Sequence, residues 1–389
     1  MPFSDFEAYL YNAYSLKFYG QYGHPEPTSF RLPGYPVFLF LLLLVKESIK
    51  WLSFWNVLLN ALAPVLAYYL MLKLNLGDKK TASVAGLVCA LNPTFLFFST
   101  VCATEHLFIL FLLFSFFIVH VQRLKASLRM ALSGAILGLA ILTRGEALFY
   151  LPVLILSVVL ITKGRRQRLW LSAWCLAACI LVLLPWYIRN VTIFGPGVGL
   201  SSSSGLNFYL GHNAKKYGHH TGPGETLRDG TPLEGVDEAT MCRLGYQLGL
   251  EYIKEKPQRL LQNTAKGTSI LYLKRDHYAI RSSLFVSERY SPTKMAFRKK
   301  YPVGSRPLLN AYYYSLLLLA PLSLVFYRRY PKSLWFILFG IIFMNWMCYA
   351  VVYSSQSRYS YTAEVVFCLL AGITLSHASR RIRQLIVRK

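Results

Sequence analysis

The chain has 389 residues, 54% of them hydrophobic and only 15% charged, and several apolar runs approach the ~20 residues that cross a bilayer. A formal charge of +25 would suit nucleic acid only if it lay on the basic face of a soluble domain. Here much of the Lys and Arg punctuates the ends of apolar runs, so nucleic acid is excluded as a partner and the charge reads as topology signals beside anionic membrane lipid.

Residues 1–51 form the first unit, a polar-aromatic segment with Asp5, Glu7, Tyr9, Tyr11, Tyr14, Phe18, Tyr19 and Tyr22 near its start. Such aromatics suit an interfacial helix. The start MPFSDFEAY has neither a basic n-region nor an apolar h-region, so no cleavable signal is read there. The run PGYPVFLFLLLLV (33–45) is too short to span, carries Pro33 and Pro36 at its start, and ends in Lys46-Glu47. It reads as a juxtamembrane helix at the outer interface.

Unbroken apolar stretches with charged ends predict about nine spans, near 52–74, 81–99, 105–122, 129–143, 146–162, 169–188, 308–327, 333–354 and 360–376. They divide the rest of the chain into an N-terminal transmembrane module (52–188), a large outer loop (189–307), and C-terminal helices with a basic tail (308–389). Alternate connections carry eighteen Lys and Arg against two, Arg144 and Arg358. By the positive-inside rule the basic set is cytoplasmic, which puts the C-terminus inside and residues 1–51 and 189–307 outside.

Sidedness gathers the ionisable residues of the span ends on one surface. Asp5, Glu7, Arg31, Glu105, His106, Arg144, Glu146, Arg189, His212 and Arg358 all fall at the outer boundary, an arrangement suited to a charged ligand. The large loop opens with PWYIRN and a Gly/Ser-rich stretch, whose backbone must be mobile or tightly turned. His212, His219 and His220 follow without acidic or Cys partners at metal-ligand spacing. From 237 to 267 an amphipathic helix is expected, capped by Asp237, with Met241, Leu244, Leu248, Tyr252 and Ile253 as its stripe and a break at Pro257. KRDHYAIRSS (274–283) adds a charged cluster of no catalytic spacing. The seven cysteines show no CxxC and no disulfide framework, and Cys175 and Cys179, four apart on an apolar helix, read as small core residues.

Six segments in order, SDFEAY, FRLPGYP, ATEHLF, LTRGEALFYLP, PWYIRN with SSSSGLNFYLGHN, and SRYSY, resemble the GT-C membrane glycosyltransferases, the superfamily of protein O-mannosyltransferases and the lipid A aminoarabinose transferase. The resemblance implies an all-α polytopic membrane protein of about nine transmembrane helices, with outer-face juxtamembrane helices and a mixed outer-loop subdomain. It further implies an inverting transfer of one sugar from a polyprenyl-phosphate carrier to a glycan, lipid or protein acceptor at the outer, periplasmic face of the cytoplasmic membrane. Asp5 matches the first-loop acid, as general base or as holder of a divalent metal ion near the donor phosphate, and Glu105 assists it in either role. Arg31, Arg144 and Arg358 are candidates for the lipid phosphate, with Tyr9 and His212 as further substrate-binding candidates.

Family members carry a helix before the acidic loop. The resemblance therefore implies either a start internal to a longer product or a chain that lacks that helix. Two other readings stay open: an O-antigen ligase or polymerase, which relies on Arg and His rather than an early acid, and a lipid or sugar transporter, which would place ionisable groups along a mid-membrane path.

Overall fold

The computed structural model describes residues 5–74, 79–99, 102–213, 236–273 and 306–387. Among them every regular element is helical. Helices α1 (Asp5–Tyr19) and α2 (Gly34–Val45) pack on one another ahead of the long α3 (Ile49–Lys73). Next come α4 (Lys79–Ala90), α5 (Pro93–Phe98), α6 (Thr104–Val119), α7 (Ala126–Thr143), α8 (Leu151–Ile161) and α9 (Arg165–Phe194). Helices α10 (Ser203–Gly211), α11 (Glu238–Glu255) and α12 (Pro257–Thr268) stand where the large loop was expected. The chain closes with α13 (Arg306–Leu322), α14 (Lys332–Trp346) and α15 (Tyr361–Val387).

Six of these helical stretches, counted among the described residues, are long and apolar enough to cross a membrane: those beginning at Ile49, Ala126, Arg165, Leu309, Lys332 and Ser357. The chain is a multi-pass membrane protein. α15 is its axis: 78% of its apolar window is buried, against 17% for α9. A helix apolar on every side is buried on every side or lies against lipid, and these two helices are the two cases. α2 is about 18 Å long at 1.5 Å per residue, which is short of the hydrocarbon thickness. It buries Tyr35, Leu39, Leu42 and Leu43 against α1 and α3, and leaves Leu41, Leu44 and Val45 exposed.

Several expected spans are interrupted. The 81–99 stretch breaks at Asn92, which caps α5 by accepting from the Thr94 N–H at 2.9 Å, with Pro93 at the first helical position. The 146–162 stretch begins as a 3₁₀ turn (Gly145–Tyr150), the 333–354 stretch ends in a π segment (Met347–Val352), and a second 3₁₀ turn (Ser357–Ser360) leads into α15. The last span runs on as helix to Val387, through Arg380, Arg381 and Arg383, where the sequence suggests a basic tail.

Cys175 and Cys179 do pack as small core residues. A Cβ on Gly134 would lie 1.9 Å from the Cys175 carbonyl oxygen, and one on Gly138 would lie 2.9 Å from Val182. Two small residues four apart let the α7 and α9 backbones touch, which is how helices associate where lipid supplies no hydrophobic drive. Gly134→Val is expected to destabilise by about 1–3 kcal/mol, measured as a lower unfolding midpoint in detergent; an unchanged midpoint would contradict this packing.

Candidate functional site

The irregular segments meet at one end of the bundle. Around them lies a cavity of about 430 Å³ whose walls come from α1, the 30–32 segment, the mouth of α6, the 143–148 turn, the 196–207 loop and helix, α11, and the 349–359 connection. Five of the candidates named from sequence line it: Tyr9, Arg31, Glu105, Arg144 and Arg358. Their separation in sequence is large, and the break points of the helices bring them together.

Glu105 sits in the first turn of α6, where the helix dipole favours a carboxylate. It is 3% exposed. Its Oε1 lies 2.6 Å from Arg144 Nη1. Arg144 also donates through Nε to Glu146, through Nη1 to Thr104 Oγ1 at 3.0 Å, and through Nη2 to the Tyr349 hydroxyl at 3.2 Å. The Tyr349 hydroxyl donates in turn to Glu146. One guanidinium thus holds two carboxylates, each ion in the cluster compensated and hydrogen-bonded, as burial requires.

Arg31 and Arg358 complete the charged lining. The Arg31 guanidinium lies 5.7 Å from the Tyr9 ring centre and 5.0 Å from that of Phe30, and Arg358 lies 5.0 Å from that of Tyr359. These aromatic faces hold the two planar groups by cation–π contact. Three guanidiniums face two carboxylates among the lining residues, so the described wall has an excess of positive charge and suits an anion. Bidentate Arg matches phosphate geometry.

The roof is the Gly/Ser stretch that the sequence left as mobile or tightly turned. It is tightly turned: Gly195 and Gly199 have φ of 85° and 62°, a region that favours glycine. Trp186 Nε1 donates to the Leu200 carbonyl at 2.8 Å, and Asn190 donates to the Gly199 and Leu200 carbonyls at 3.1 Å. Beyond the turn, α10 and α11 touch at backbone distance, since a Cβ on Gly205 would lie 1.9 Å from the Cys242 carbonyl oxygen.

The stripe on α11 differs from the expected one. Cys242, Gly245, Gly249 and Tyr252 are buried, while Met241, Leu244, Leu248 and Ile253 are only half-buried. Close backbone packing selected the small residues rather than the largest apolar ones. Asp237 caps this helix, accepting from the Thr240 N–H at 2.9 Å, a bond that holds its carboxyl below the usual range. Lys256 and Pro257 break it as expected.

The other candidates are placed differently. Asp5 opens α1, four residues before Tyr9 on the same helix, and its side chain lies outside the described ones. His212 does not line the cavity: it is 3% exposed, packs against Phe208 with ring centres 4.7 Å apart, and burial pushes its imidazole below the ordinary range. His106 packs against Phe98 and Tyr361. Arg189 donates to the Thr28 and Tyr22 carbonyls at 2.8 and 3.2 Å, tying the first loop to α9. His219, His220 and the 274–283 cluster lie outside the described residues.

Among the described residues no three His, Cys, Asp or Glu groups converge to hold a metal ion. Glu105 and Glu146 have a guanidinium where a metal would sit. The described donor set does not fit a divalent ion. Tyr349, Tyr353, Ser203, Ser204, Asn207 and Tyr246 line the cavity without having been singled out from sequence. The motif SSSSGLN contains Ser203, Ser204 and Asn207, but hydroxyls and amides in a loop carry no distinctive spacing.

Residues 43–195 match the family model described as dolichyl-phosphate-mannose-protein mannosyltransferase. No curated protein matches the chain. Among solved structures, the oligosaccharyltransferase of Archaeoglobus fulgidus in the apo form aligns with 98% of the chain and 48% of its own, at a TM-score of 0.51 and 15% identity. The archaeal oligosaccharyltransferase AglB of that organism, in complex with an inhibitory peptide and a dolichol-phosphate, gives 0.52 at 12% identity over 98% of this chain and 47% of its own. The same organism's enzyme tethered to an acceptor peptide containing the NVT sequon gives 0.53 at 12% identity over 100% and 47%. The chain spans about half the length of these structures. At such identities the likeness is one of fold: the described residues are all-α and polytopic and share the fold of these archaeal structures.

Proposed function

We propose that the protein is an inverting glycosyltransferase that moves a sugar from a polyprenyl-phosphate carrier to a glycan, lipid or protein acceptor at the outer face of the cytoplasmic membrane. The observation that carries this reading is a positively biased cavity stacked on an apolar trough along the same pair of elements. The trough, about 470 Å³, lies between α8 and α14 and is lined by Pro152, Val153, Leu156, Trp335, Phe339 and Phe343. Pro152 follows the cavity residue Leu148 by one helical turn, and Phe343 precedes Tyr349 by under two. A phosphate among the arginines with its prenyl tail in the trough matches both chemistries at once.

In the reaction, an acceptor oxygen or nitrogen attacks the anomeric carbon as the bond from that carbon to the phosphate oxygen breaks. The bonding pair leaves on the phosphate, already an anion, so guanidinium groups rather than a general acid stabilise the departure. Arg31 and Arg358 are assigned that task. Glu105, closed on Arg144, keeps Arg144 placed and does not take the acceptor proton. Asp5 is assigned as the general base. The orientation rests on the alternation of basic residues between connections.

The test is incubation of the reconstituted protein with a panel of polyprenyl-phosphate sugars. Release of polyprenyl phosphate from at least one donor is expected, and Arg358→Ala is expected to reduce that release at limiting donor about tenfold or more, the loss of a charged hydrogen bond. No release from any donor would sink the assignment.

A further inference from the structure

Glu238, the first residue of α11, has no part in the chemistry above, yet its carboxylate accepts four hydrogen bonds. Its Oε1 accepts from the Thr28 hydroxyl. Its Oε2 accepts from the Ser29 N–H at 2.7 Å, the Ser29 hydroxyl at 2.8 Å and the Ser202 hydroxyl at 2.9 Å. Ser29 and Ser202 are buried, at 0% and 1% exposure. One carboxylate therefore joins three segments far apart in sequence: the first loop, the Ser-rich turn and α11.

Each of those segments reaches the cavity within a few residues. The first loop continues into Phe30 and Arg31, the turn carries Ser201, Ser203 and Ser204, and α11 presents Tyr246 two turns on. The two loops are also paired directly, by Ser202 N–H to the Ser29 carbonyl at 3.3 Å and the Ser201 hydroxyl to the Phe30 carbonyl at 3.0 Å. These neutral contacts are weak beside hydrogen bonds to a carboxylate, which are roughly twice as strong. We propose that Glu238 is a positioning residue whose carboxylate clasps residues 28–29 to Ser202, fixing the mouth of the cavity and aiming Arg31 into it.

Removing the carboxylate leaves three buried donors without an acceptor, and such groups recover their partners by admitting water. The strap then loosens locally, because Arg189 still holds the Thr28 and Tyr22 carbonyls at its base. A Gln at the same place retains one oxygen for the Ser29 and Ser202 donors and offers its amide to the Thr28 hydroxyl. It should keep most of the clasp.

The role of Glu238 in ligand binding rests on the reading of the cavity as a polyprenyl-phosphate site; the clasp itself does not. Two measurements on the full chain in nanodiscs separate them. In the first, backbone hydrogen exchange of residues 28–31 and 201–204 is expected to speed up about tenfold or more in Glu238→Ala and to stay near wild type in Glu238→Gln. In the second, Glu238→Ala is expected to weaken equilibrium binding of polyprenyl phosphate about tenfold, with Glu238→Gln restoring it. Should Glu238→Ala fail to fold, Ser29→Ala with Ser202→Ala removes two of the four bonds from the other side, including the one to Ser202, and is expected to act in the same direction with a smaller effect. Unchanged exchange, or equal binding by wild type and the folded variants, overturns the proposal. Faster exchange in a protein that binds no polyprenyl phosphate even as wild type supports the clasp, overturns its role in ligand binding, and refutes the functional reading instead.

Discussion

Replacing Arg144 with Ala is expected to cost about 3–5 kcal/mol of stability and to abolish binding of a polyprenyl-phosphate ligand. The side chain is 13% exposed, and its two carboxylate partners, Glu105 and Glu146, are 5% and 13% exposed. Truncation strands both anions in a wall shared with Tyr349 and Thr104, whose hydroxyls also lose their guanidinium contacts. The excess of positive charge among the described lining residues is cancelled at the same time: two guanidiniums then face two carboxylates that have lost their ion-pair partner, and an incoming phosphate. Thermal unfolding followed by tryptophan fluorescence checks the first effect and equilibrium ligand binding the second. The triple variant with Glu105→Gln and Glu146→Gln should recover much of the stability, since what destabilises is the uncompensated charge. A single variant that melts with wild type would mean water reaches the cluster freely.

Asp5→Asn is the second large effect, expected to lower kcat by about 10²–10⁴, the range for loss of a general base, with donor binding unchanged. The acceptor proton needs a carboxylate with spare acceptor capacity, and the two described carboxylates of the cavity both close on Arg144. The position of Asp5, one turn ahead of the cavity residue Tyr9 on the same helix, supports giving it that role. Rates at saturating donor against donor affinity separate the outcomes: loss of rate alone supports the base, loss of affinity alone points to an ion-holding or structural part, and full activity removes Asp5 from the chemistry.

Much of this protein can be read along the chain. The apolar runs and their charged ends identify membrane helices because burial in lipid demands about twenty apolar residues with every backbone group bonded internally, and each expected span has a helix over most of its length. The six loose motifs resemble those of GT-C proteins, and the chain shares its fold with a solved archaeal oligosaccharyltransferase. Arg31, Glu105, Arg144, Arg358 and Tyr9 are candidates by residue type, by placement on the outer side and by the resemblance, and all five line one cavity.

Tertiary structure decided what those residues are bonded to. Glu105 reads in sequence as an acid ready to assist catalysis; in the fold it is half of an ion pair, because Arg144 arrives from another helix end at 2.6 Å. His212 has the type and position of a ligand-binding group, but the C-terminus of α10 turns it into apolar packing. Glu238 reads as one more charge near a helix start, and only the approach of residues 28–29 and 202, some two hundred and some forty positions away, makes it a hub. The physical reason is common to all three. Hydropathy and helix periodicity are local properties, set by each segment against its solvent, whereas the partner of a polar group depends on which distant segments are packed beside it.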